Sequence, residues 1–315
     1  MSRVIAIANQ KGGVGKTTTA INLGAGFAVA ERRTLIVDMD PQGNATSGLG
    51  IERSTVQASV YEVLVDEVPI SGVRKIGVHL PKLDVVPSSQ DLVGAEVELV
   101  GRHDRERRLR RALEPIRDEY DYILVDCPPS LGLLTLNTLT AADTVLIPIQ
   151  CEFYALEGLS QLLNTVRVVQ RNLNPRLEIE GVLLTMFDQR LNLSKQVADE
   201  AKEYFGDRVF RSVIPRNVRL AEAPSFGKPI VLYDAVSAGA QSYLALAREL
   251  IAGNGATAAG ERDEPAAAAP FTSAPVTAPR GELEREPFVA DSRTPPNGGA
   301  PEPPIEPRVV EEDVS

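Results

Sequence analysis

The sequence predicts an α/β fold built on a mostly parallel, twisted sheet with helices on both faces. Three observations favour it. Short runs rich in β-branched residues are apolar throughout, which is typical of strands buried on both faces. These runs alternate with helical patterns, as in right-handed βαβ units. The first run leads into a glycine-rich loop, and such sheets bind their ligands at the carboxyl ends of the strands.

The individual elements follow from this alternation. The predicted strands are residues 4–8, 34–37, 83–86, 122–125, 144–149, 179–186 and 209–214. The predicted helices are residues 16–31, 105–119, 131–141, 156–172, 194–205 and 237–252. Together these elements predict one domain over residues 1–252.

The composition changes near Gly253. Residues 253–315 hold 11 of the 23 prolines and no Lys or Tyr, with repeated Ala-Pro and Glu-Pro steps. Such a segment buries too little apolar surface to offset the entropy of ordering, so we predict an acidic, disordered C-terminal tail. Its 5 Arg and 12 acidic residues account for −7 of the net charge of −10, which leaves −3 on residues 1–252.

Charge, cysteine content and hydropathy narrow the class of protein. A net charge of −10 argues against nucleic-acid binding only weakly, because most of the excess acidity lies in the tail. The two cysteines, Cys127 and Cys151, cannot form a disulfide framework. The N-terminal apolar run is broken at Asn9, too early for a signal peptide, and no apolar run is long enough to span a membrane. We therefore expect a cytoplasmic protein without membrane attachment.

The segment N-Q-K-G-G-V-G-K-T-T-T, from Asn9 to Thr19, joins the first strand to the first helix. Its glycines permit backbone torsions that turn several N–H groups towards one anion, and the positive end of the helix faces the same anion. Lys16 can reach the β- and γ-phosphates of a nucleotide, and the Thr17 hydroxyl can bind Mg²⁺. The predicted nucleotide-binding residues of this loop are Lys11, Gly12, Gly13, Val14, Gly15, Lys16, Thr17 and Thr18.

The loop departs from the usual pattern G-x-x-x-x-G-K-[ST], because Gln10 replaces the first glycine and Lys11 follows it. The form K-G-G-x-G-K-T-T resembles the deviant Walker A motif of the ParA/MinD ATPases, a group of P-loop NTPases. Three further segments are similar to the chromosomal ParA (Soj) branch. They are residues 148–159, 185–194 and 214–229, and the resemblance covers about residues 1–252.

The resemblance implies ATP and Mg²⁺ as cofactors and an ATP-dependent homodimer. It implies that Lys16 acts on the ATP of its own subunit and Lys11 on the ATP of its partner, with Gly12 at the dimer face. The segment D-M-D-P-Q-G-N after the second strand resembles switch I, in which Asp40 positions the attacking water. From the residues alone, Asp38 and Asp40 can also cap a turn before a proline.

Two more sets of site residues rest on the resemblance. The predicted fourth strand ends in Asp126, followed by C-P-P-S, which resembles a Walker B strand and switch II. This implies that Asp126 holds Mg²⁺ through a coordinated water, together with Thr17. The segment around I-P-R-N lies against the adenine in relatives, which makes Pro215 and Asn217 candidates for the base pocket.

Soj-type ATPases bind double-stranded DNA without sequence preference when ATP closes the dimer. They segregate chromosomes or plasmids with a ParB-type centromere-binding protein, which implies a nucleoid-associated protein. The DNA-contacting arginines of the family map onto Arg190 and Arg219, and Lys195 lies close to Arg190 in the chain. A dimer doubles these charges, so a nearly neutral domain fits DNA binding that ATP switches on.

A separate cluster is predicted to be a solvated helix face with local ion pairs: Arg102, Arg105, Arg107, Arg108, Arg110 and Arg111.

Several alternatives remain open from the sequence. A MinD-like ATPase that positions another cargo would need a basic amphipathic helix at the membrane, but the pattern over residues 241–252 carries only Arg248. A nitrogenase-type iron protein would use Cys127 and Cys151 around a shared cluster, and we interpret both as small buried residues instead. Two further alternatives are a kinase-like or ligase-like ATPase with a small-molecule acceptor, and a nucleotide-binding scaffold that is not an enzyme.

Overall fold

A computed structural model of the chain describes residues 2–152 and 157–257. Its strands form one six-stranded sheet in the order β3-β2-β4-β1-β5-β6, and every pair is parallel. The strands are β1 (Arg3–Ile7), β2 (Thr34–Asp38), β3 (Leu83–Val86), β4 (Tyr122–Asp126), β5 (Thr144–Gln150) and β6 (Glu178–Thr185). The predicted parallel sheet is confirmed, and six of the seven predicted strands lie within a residue of their observed ends.

Helices cover both faces of the sheet, as predicted. They are α1 (Lys16–Val29), α2 (Asn44–Gly48), α3 (Val60–Val65), α4 (Ile70–Val73), α5 (Leu92–Glu98), α6 (Arg108–Leu113), α7 (Leu133–Ala141), α8 (Glu157–Asn172), α9 (Asn192–Phe205), α10 (Val218–Glu222), α11 (Ile230–Tyr233) and α12 (Ala238–Thr257). Among the described residues, none of these helices combines the length and the apolarity that a bilayer crossing requires.

Alternate residues of each strand point into two different apolar cores. Val4 and Ala6 of β1 belong to the core under α3 and α5–α9, whereas Ile5 and Ile7 belong to the core under α1 and α12. Burial on both faces explains why the strands read as continuous apolar runs. The second core also contains Tyr243 of α12, whose hydroxyl lies 3.1 Å from the Thr19 hydroxyl of α1.

The register brings three loops to the carboxyl edge of the sheet. Asp126 at the end of β4 is level with Ile7 of β1 on one side and with Asp38 of β2 on the other. The glycine-rich loop follows β1 directly, and the segment containing Asp40 follows β2. The central strands therefore deliver the predicted phosphate loop and the predicted acids to one place.

The seventh predicted strand, residues 209–214, is wrong. The segment runs beside β6 and bonds to it near its ends, from the Phe210 N–H to the Val182 carbonyl (3.0 Å) and from the Ile214 N–H to the Leu184 carbonyl (2.9 Å), and the Ile214 carbonyl accepts from the Phe187 N–H (3.1 Å). Between Phe210 and Ile214, the N–H groups of Arg211 and Ser212 donate to the Glu249 carboxylate of α12, at 2.8 and 2.9 Å. A side chain from a distant helix thus takes the donors that a strand would use.

The predicted helix over residues 105–119 is also interrupted. Only α6 is an α-helix there, between 3₁₀ turns at Arg105–Arg107 and Glu114–Glu119. Pro115 lies in the first turn of the second 3₁₀ segment, and proline cannot donate the backbone bond that would continue α6. Six short helices, α2–α5, α10 and α11, escaped prediction because four to seven residues are too few to show a period.

The C-terminal helix α12 extends past residue 252, the predicted end of the domain, to Thr257. It packs on α1 with Tyr243, Leu246 and Leu250, so its apolar residues belong to the protein core. The predicted tail beyond Thr257 lies outside the described residues. So do residue 156 of the predicted helix 156–172 and residues 153–156 of the Soj-like segment 148–159.

Candidate functional site

The glycine-rich loop turns from β1 into α1 through left-handed backbone positions. Gly13 and Gly15 have φ of +73° and +88°, and Gly15 is the N-cap of α1. An L-residue with a side chain rarely adopts this conformation, which explains both glycines. In the described part of the chain no side chain caps α1, so its first-turn N–H groups face the loop without a protein acceptor, a suitable arrangement for a phosphate.

Thr185, at the end of β6, holds this loop from behind. Its hydroxyl lies 2.9 Å from the Val14 carbonyl and 3.1 Å from the Ile149 carbonyl, and the residue is 2% exposed. A Cβ on Gly15 would also lie 3.8 Å from the Thr185 side chain. Thr185 is not among the predicted site residues, although a polar residue that closes a buried strand is a signal for such a position.

The two lysines of the loop lie in different environments. Lys16 is buried, and its ammonium donates to the Lys11 carbonyl at 3.1 Å. Burial lowers the pKa of Lys16, while the negative charges of Asp126, Cys127 and Asp40 act in the opposite direction. Lys11 is about one-third exposed, and its ammonium is 3.9 Å from a Glu152 carboxylate oxygen. Lys16 is therefore fixed in the loop, whereas the Lys11 ammonium has one loose partner among the described residues.

The remaining residues of the loop meet open space or local backbone. A Cβ on Gly12 would contact nothing within 4 Å, so this chain alone does not explain a glycine there. Thr17 and Thr18 are half-buried in the first turn of α1, and the Thr18 carbonyl accepts from the Asn22 amide at 2.7 Å.

Asp126 is a buried acid without a hydrogen-bond partner. Neither of its carboxylate oxygens is bonded to any other described residue, and the residue is fully buried. Burial raises its pKa well above the ordinary value, and the neighbouring Asp38 charge raises it further. The Thr17 hydroxyl lowers it in part, although it does not reach either oxygen in a well-formed hydrogen bond. Two unpaired buried oxygens beside a threonine hydroxyl suit Mg²⁺, which prefers hard oxygen ligands and keeps some of its waters.

Asp38 is also buried, but both of its carboxylate oxygens accept hydrogen bonds, unlike those of Asp126. One of its oxygens accepts from the Thr46 N–H at 2.8 Å and from the Thr46 hydroxyl at 2.7 Å, and the other accepts from the Asp40 N–H at 3.2 Å. Burial raises its pKa to about 6 against these hydrogen bonds. Asp38 therefore organises the turn after β2, one of the two interpretations that the sequence left open.

Asp40 lies on the same turn and is only 7% exposed. One carboxylate oxygen accepts from the Gln42 N–H at 2.9 Å, and the other makes no hydrogen bond to a described residue. Its charge is among those that act on Lys16 and Asp126. Lys16, Asp126 and Asp40 thus form one electrostatically connected group at the carboxyl edge of the sheet.

The candidates for the base pocket lie after β6. Pro215 pairs with Phe187 in an isolated parallel bridge, and Asn217 caps α10 by accepting from the Leu220 N–H at 3.3 Å. Both residues are half-buried. The cap uses the oxygen of the Asn217 amide and leaves its NH₂ group for another partner.

The three candidate DNA residues are exposed and lie on separate elements. Arg190, before α9, forms a two-bond pair with the Asp188 carboxylate at 2.9 and 2.7 Å, which lowers the pKa of Asp188 to about 2. Arg219 of α10 lies 2.9 Å from Glu222 and 3.5 Å from Asp234. Lys195 is exposed on α9. Both arginines have acidic partners, which the sequence analysis did not foresee, but exposed ion pairs contribute little to stability and exchange readily.

The arginine cluster at residues 102–111 forms local ion pairs, as predicted. Arg105 contacts Glu106, and Asp104 contacts both Arg107 and Arg111. Arg108 differs from the prediction, because it is buried and contacts Glu67.

The two cysteines are buried in the first core, as predicted. Burial raises the pKa of Cys127 to about 12 and that of Cys151 to about 11. Iron–sulfur clusters are held by thiolates, so these surroundings do not favour the iron-protein alternative.

Comparison with known proteins identifies the family. A family model described as an AAA domain matches residues 2–179. The chain is 62% identical over 255 residues to the sporulation initiation inhibitor protein Soj of Bacillus subtilis, covering 81% of this chain and 100% of Soj. It is 61% identical over 251 residues to the chromosome partitioning protein ParA of Myxococcus xanthus, covering 80% and 88%.

A solved structure gives the same fold. Cobyrinic acid a,c-diamide synthase from Mycobacterium smegmatis, with bound ADP and magnesium, is 38% identical and superposes with a TM-score of 0.72. The match covers 82% of this chain and 97% of that one. The deviant Walker A loop, the all-parallel sheet and these relatives agree: the chain belongs to the ParA/Soj-type family of chromosome-partitioning ATPases.

Proposed function

We propose that this protein is an ATP-switched partitioning ATPase, which closes into a homodimer on ATP and then binds double-stranded DNA without sequence preference. The observation that carries the proposal is the joint placement of buried Lys16, unpartnered Asp126 and Asp40 beside the glycine-rich loop. A buried carboxylate without a partner is costly to keep, and a bound cation offsets that cost. The 61% identity of the chain to a protein named for chromosome partitioning supports the biological role.

The loop and the acids divide the work on the nucleotide. The N–H groups of residues 12–18 and the Lys16 ammonium would hold the phosphates, and Asp126 with Thr17 would hold Mg²⁺. Bound Mg²⁺ neutralises charge that develops on the phosphate oxygens. The free oxygen of Asp40 would orient the attacking water, which requires position more than basicity in a loose phosphoryl transfer. Pro215 and Asn217 would contact the adenine.

Lys11 is suited to act on a second subunit. Its ammonium is partly exposed, and within residues 2–152 and 157–257 it has one contact, 3.9 Å from Glu152, so little is lost when it leaves this position. Gly12, beside it, faces open space, where a second chain can approach closely. ATP then favours the dimer, because only the dimer presents Lys11 and Lys16 to the same phosphate chain.

DNA binding would follow from dimerisation. Arg190, Lys195 and Arg219 supply three charges per subunit and six per dimer, and DNA phosphates would replace the acidic partners of the arginines. Counterion release predicts a steep salt dependence, with a slope of about −0.9 per neutralised phosphate in a plot of log K against log salt. We also propose a ParB-type protein as the partner that accelerates hydrolysis, and the nucleoid as the location.

A ligase-like ATPase with a small-molecule acceptor is the second candidate, because the 38% identical solved structure is named a cobyrinic acid a,c-diamide synthase. The 61% identical relative from Myxococcus xanthus is named a chromosome partitioning protein, which supports partitioning as the first candidate. The two functions differ in one measurable respect, since DNA and a ParB-type protein would leave the ATP hydrolysis of a ligase unchanged.

Three variants test the proposal. Asp40→Ala should form an ATP-bound dimer that stays on DNA, whereas Arg190→Ala should form the same dimer without binding DNA. Arg32→Ala is the matched control, because Arg32 is also exposed but precedes β2 at the opposite edge of the sheet. Dimerisation is measured by sedimentation velocity and DNA binding by biolayer interferometry at three salt concentrations. DNA affinity of Arg190→Ala equal to that of Arg32→Ala at every salt concentration would show that the assigned DNA surface is wrong.

A further inference from the structure

The backbone of Asp40 is held from two directions. Its N–H donates to an Asp38 oxygen at 3.2 Å. Its carbonyl accepts from the Gly43 N–H at 2.8 Å and from the Ser88 hydroxyl at 2.7 Å. The first two partners belong to the turn that contains Asp40, but Ser88 comes from the loop that follows β3.

Ser88 also contacts helix α2, which follows this turn. Its N–H donates to the Thr46 hydroxyl oxygen at 2.9 Å, and that hydroxyl donates to Asp38 at 2.7 Å. Ser88, Thr46 and Asp38 are fully buried. One residue from the β3 loop therefore binds the turn after β2 through its side-chain O–H and the following helix α2 through its backbone N–H.

The side chain of Asp40 has little support of its own. Among the described residues its only hydrogen bond is the one from the Gln42 N–H, within the same turn. The direction of the carboxylate is thus set by the backbone that carries it. Displacing a reacting or orienting group by about 1 Å can lower a rate by up to about a hundredfold.

We infer that Ser88 is a positioning residue for Asp40: it anchors the Asp40 carbonyl to the loop after β3 and so fixes the carboxylate for ATP hydrolysis. The inference rests on the proposed function, in which Asp40 orients the attacking water. Removing the Ser88 hydroxyl leaves the buried carbonyl with the Gly43 N–H alone, within a turn that can then shift as a unit.

The neighbouring serine provides a matched control. The Ser89 hydroxyl accepts from the Ser59 hydroxyl at 3.0 Å and approaches Asp91 at 3.5 Å. It makes no hydrogen bond to the turn that contains Asp40. Ser88→Ala and Ser89→Ala therefore remove the same group from the same loop, and only the first touches the Asp40 turn.

The test is a double-mutant cycle in single-turnover ATP hydrolysis with the full-length protein. Ser88→Ala should slow the hydrolysis step about tenfold and leave the Kd for ATP within about twofold, because it misplaces Asp40 without touching the phosphate loop. Ser89→Ala should hydrolyse like wild type, and Ser88→Thr, which keeps the hydroxyl, should recover most of the rate. In an Asp40→Ala background, Ser88→Ala should change the residual rate less than about twofold.

Each outcome decides the inference. Two outcomes would overturn the role of Ser88 and leave the proposed function intact. In the first, Ser88→Ala slows hydrolysis by the same factor in the wild-type and the Asp40→Ala backgrounds. In the second, Asp40→Ala slows hydrolysis but Ser88→Ala does not. Normal hydrolysis by Asp40→Ala overturns both. Should Ser88→Ala not fold, Thr46→Val takes its place with the same expected pattern, and Thr46→Ser, which keeps the hydroxyl, is its control.

Discussion

Replacing Thr185 tests whether the end of β6 holds the phosphate loop in its binding conformation. The Thr185 hydroxyl lies 2.9 Å from the Val14 carbonyl and 3.1 Å from the Ile149 carbonyl in a buried site. Thr185→Val keeps the shape of the side chain and removes the only O–H that these carbonyls share. A buried acceptor that loses its donor costs about 1–3 kcal/mol, so the free energy of unfolding should fall by that amount.

The same change should weaken nucleotide binding. Val14 lies between the left-handed Gly13 and Gly15, so freeing its carbonyl loosens the segment whose N–H groups face the phosphates. If the loss of the hydroxyl destabilises the ATP-binding conformation of the loop by about 1.4 kcal/mol, the Kd for ATP rises about tenfold. Urea unfolding measures the stability, and titration with a fluorescent ATP analogue measures the affinity.

Thr140→Val is the control for this experiment. Thr140 is also buried, but its hydroxyl has no hydrogen-bond partner among the described residues. Removing it should leave stability unchanged or raise it, and should not alter the Kd for ATP. Equal stability and equal affinity in Thr185→Val and Thr140→Val would refute the reasoning, because the bonds to Val14 and Ile149 would then contribute nothing measurable.

Two further predictions concern stability. Burial raises the pKa of Asp38 from its ordinary 3.8 to about 6, so the nucleotide-free protein holds a proton there that the unfolded chain has lost. Its free energy of unfolding should therefore fall as the pH rises from below 4 through 6, by up to about 1.36 kcal/mol per pH unit for each proton held, and the raised pKa of the neighbouring Asp126 adds to the fall. Urea unfolding of wild type and Asp38→Asn measures this, and equal pH profiles would contradict it. Gly227→Ala should destabilise the protein by about 2–4 kcal/mol, because φ is +62° and the new Cβ would lie 2.6 Å from the Gly50 Cα. Gly77→Ala, at φ +64° with nothing within 4 Å, should incur only the backbone cost of about 1–2 kcal/mol, and equal losses at both positions would contradict the steric argument.

The parts of the site that the sequence predicts are those encoded by neighbouring residues. The loop from Asn9 to Thr19 combines its glycines, lysines and threonines in one contiguous segment. Asp40 and Asp126 each follow a run that is recognisable as a buried strand. Because parallel strands deliver their carboxyl ends to one edge, the pattern also predicts that these segments meet.

The parts that escaped prediction depend on contacts between distant positions. Thr185 contacts Val14 across 171 positions of the chain, and Ser88 contacts Asp40 across 48. Nothing in the local pattern around Ser88 distinguishes it from other buried hydroxyl residues, and the place of Thr185 at the end of a strand does not indicate Val14 as its partner. The mistaken strand at residues 209–214 has the same origin, because Glu249 takes two of its backbone donors from 37 and 38 positions away.

Nucleotide control of DNA binding is the central claim, and one measurement tests it most directly. The affinity for a DNA fragment of arbitrary sequence is measured with ATP and Mg²⁺, with ADP and Mg²⁺, and without nucleotide, using Lys16→Ala as the variant that cannot use ATP productively. Binding with ATP alone, with a steep salt dependence and none by Lys16→Ala, is the predicted result. Equal affinity in all three nucleotide states would contradict the claim that ATP switches DNA binding on.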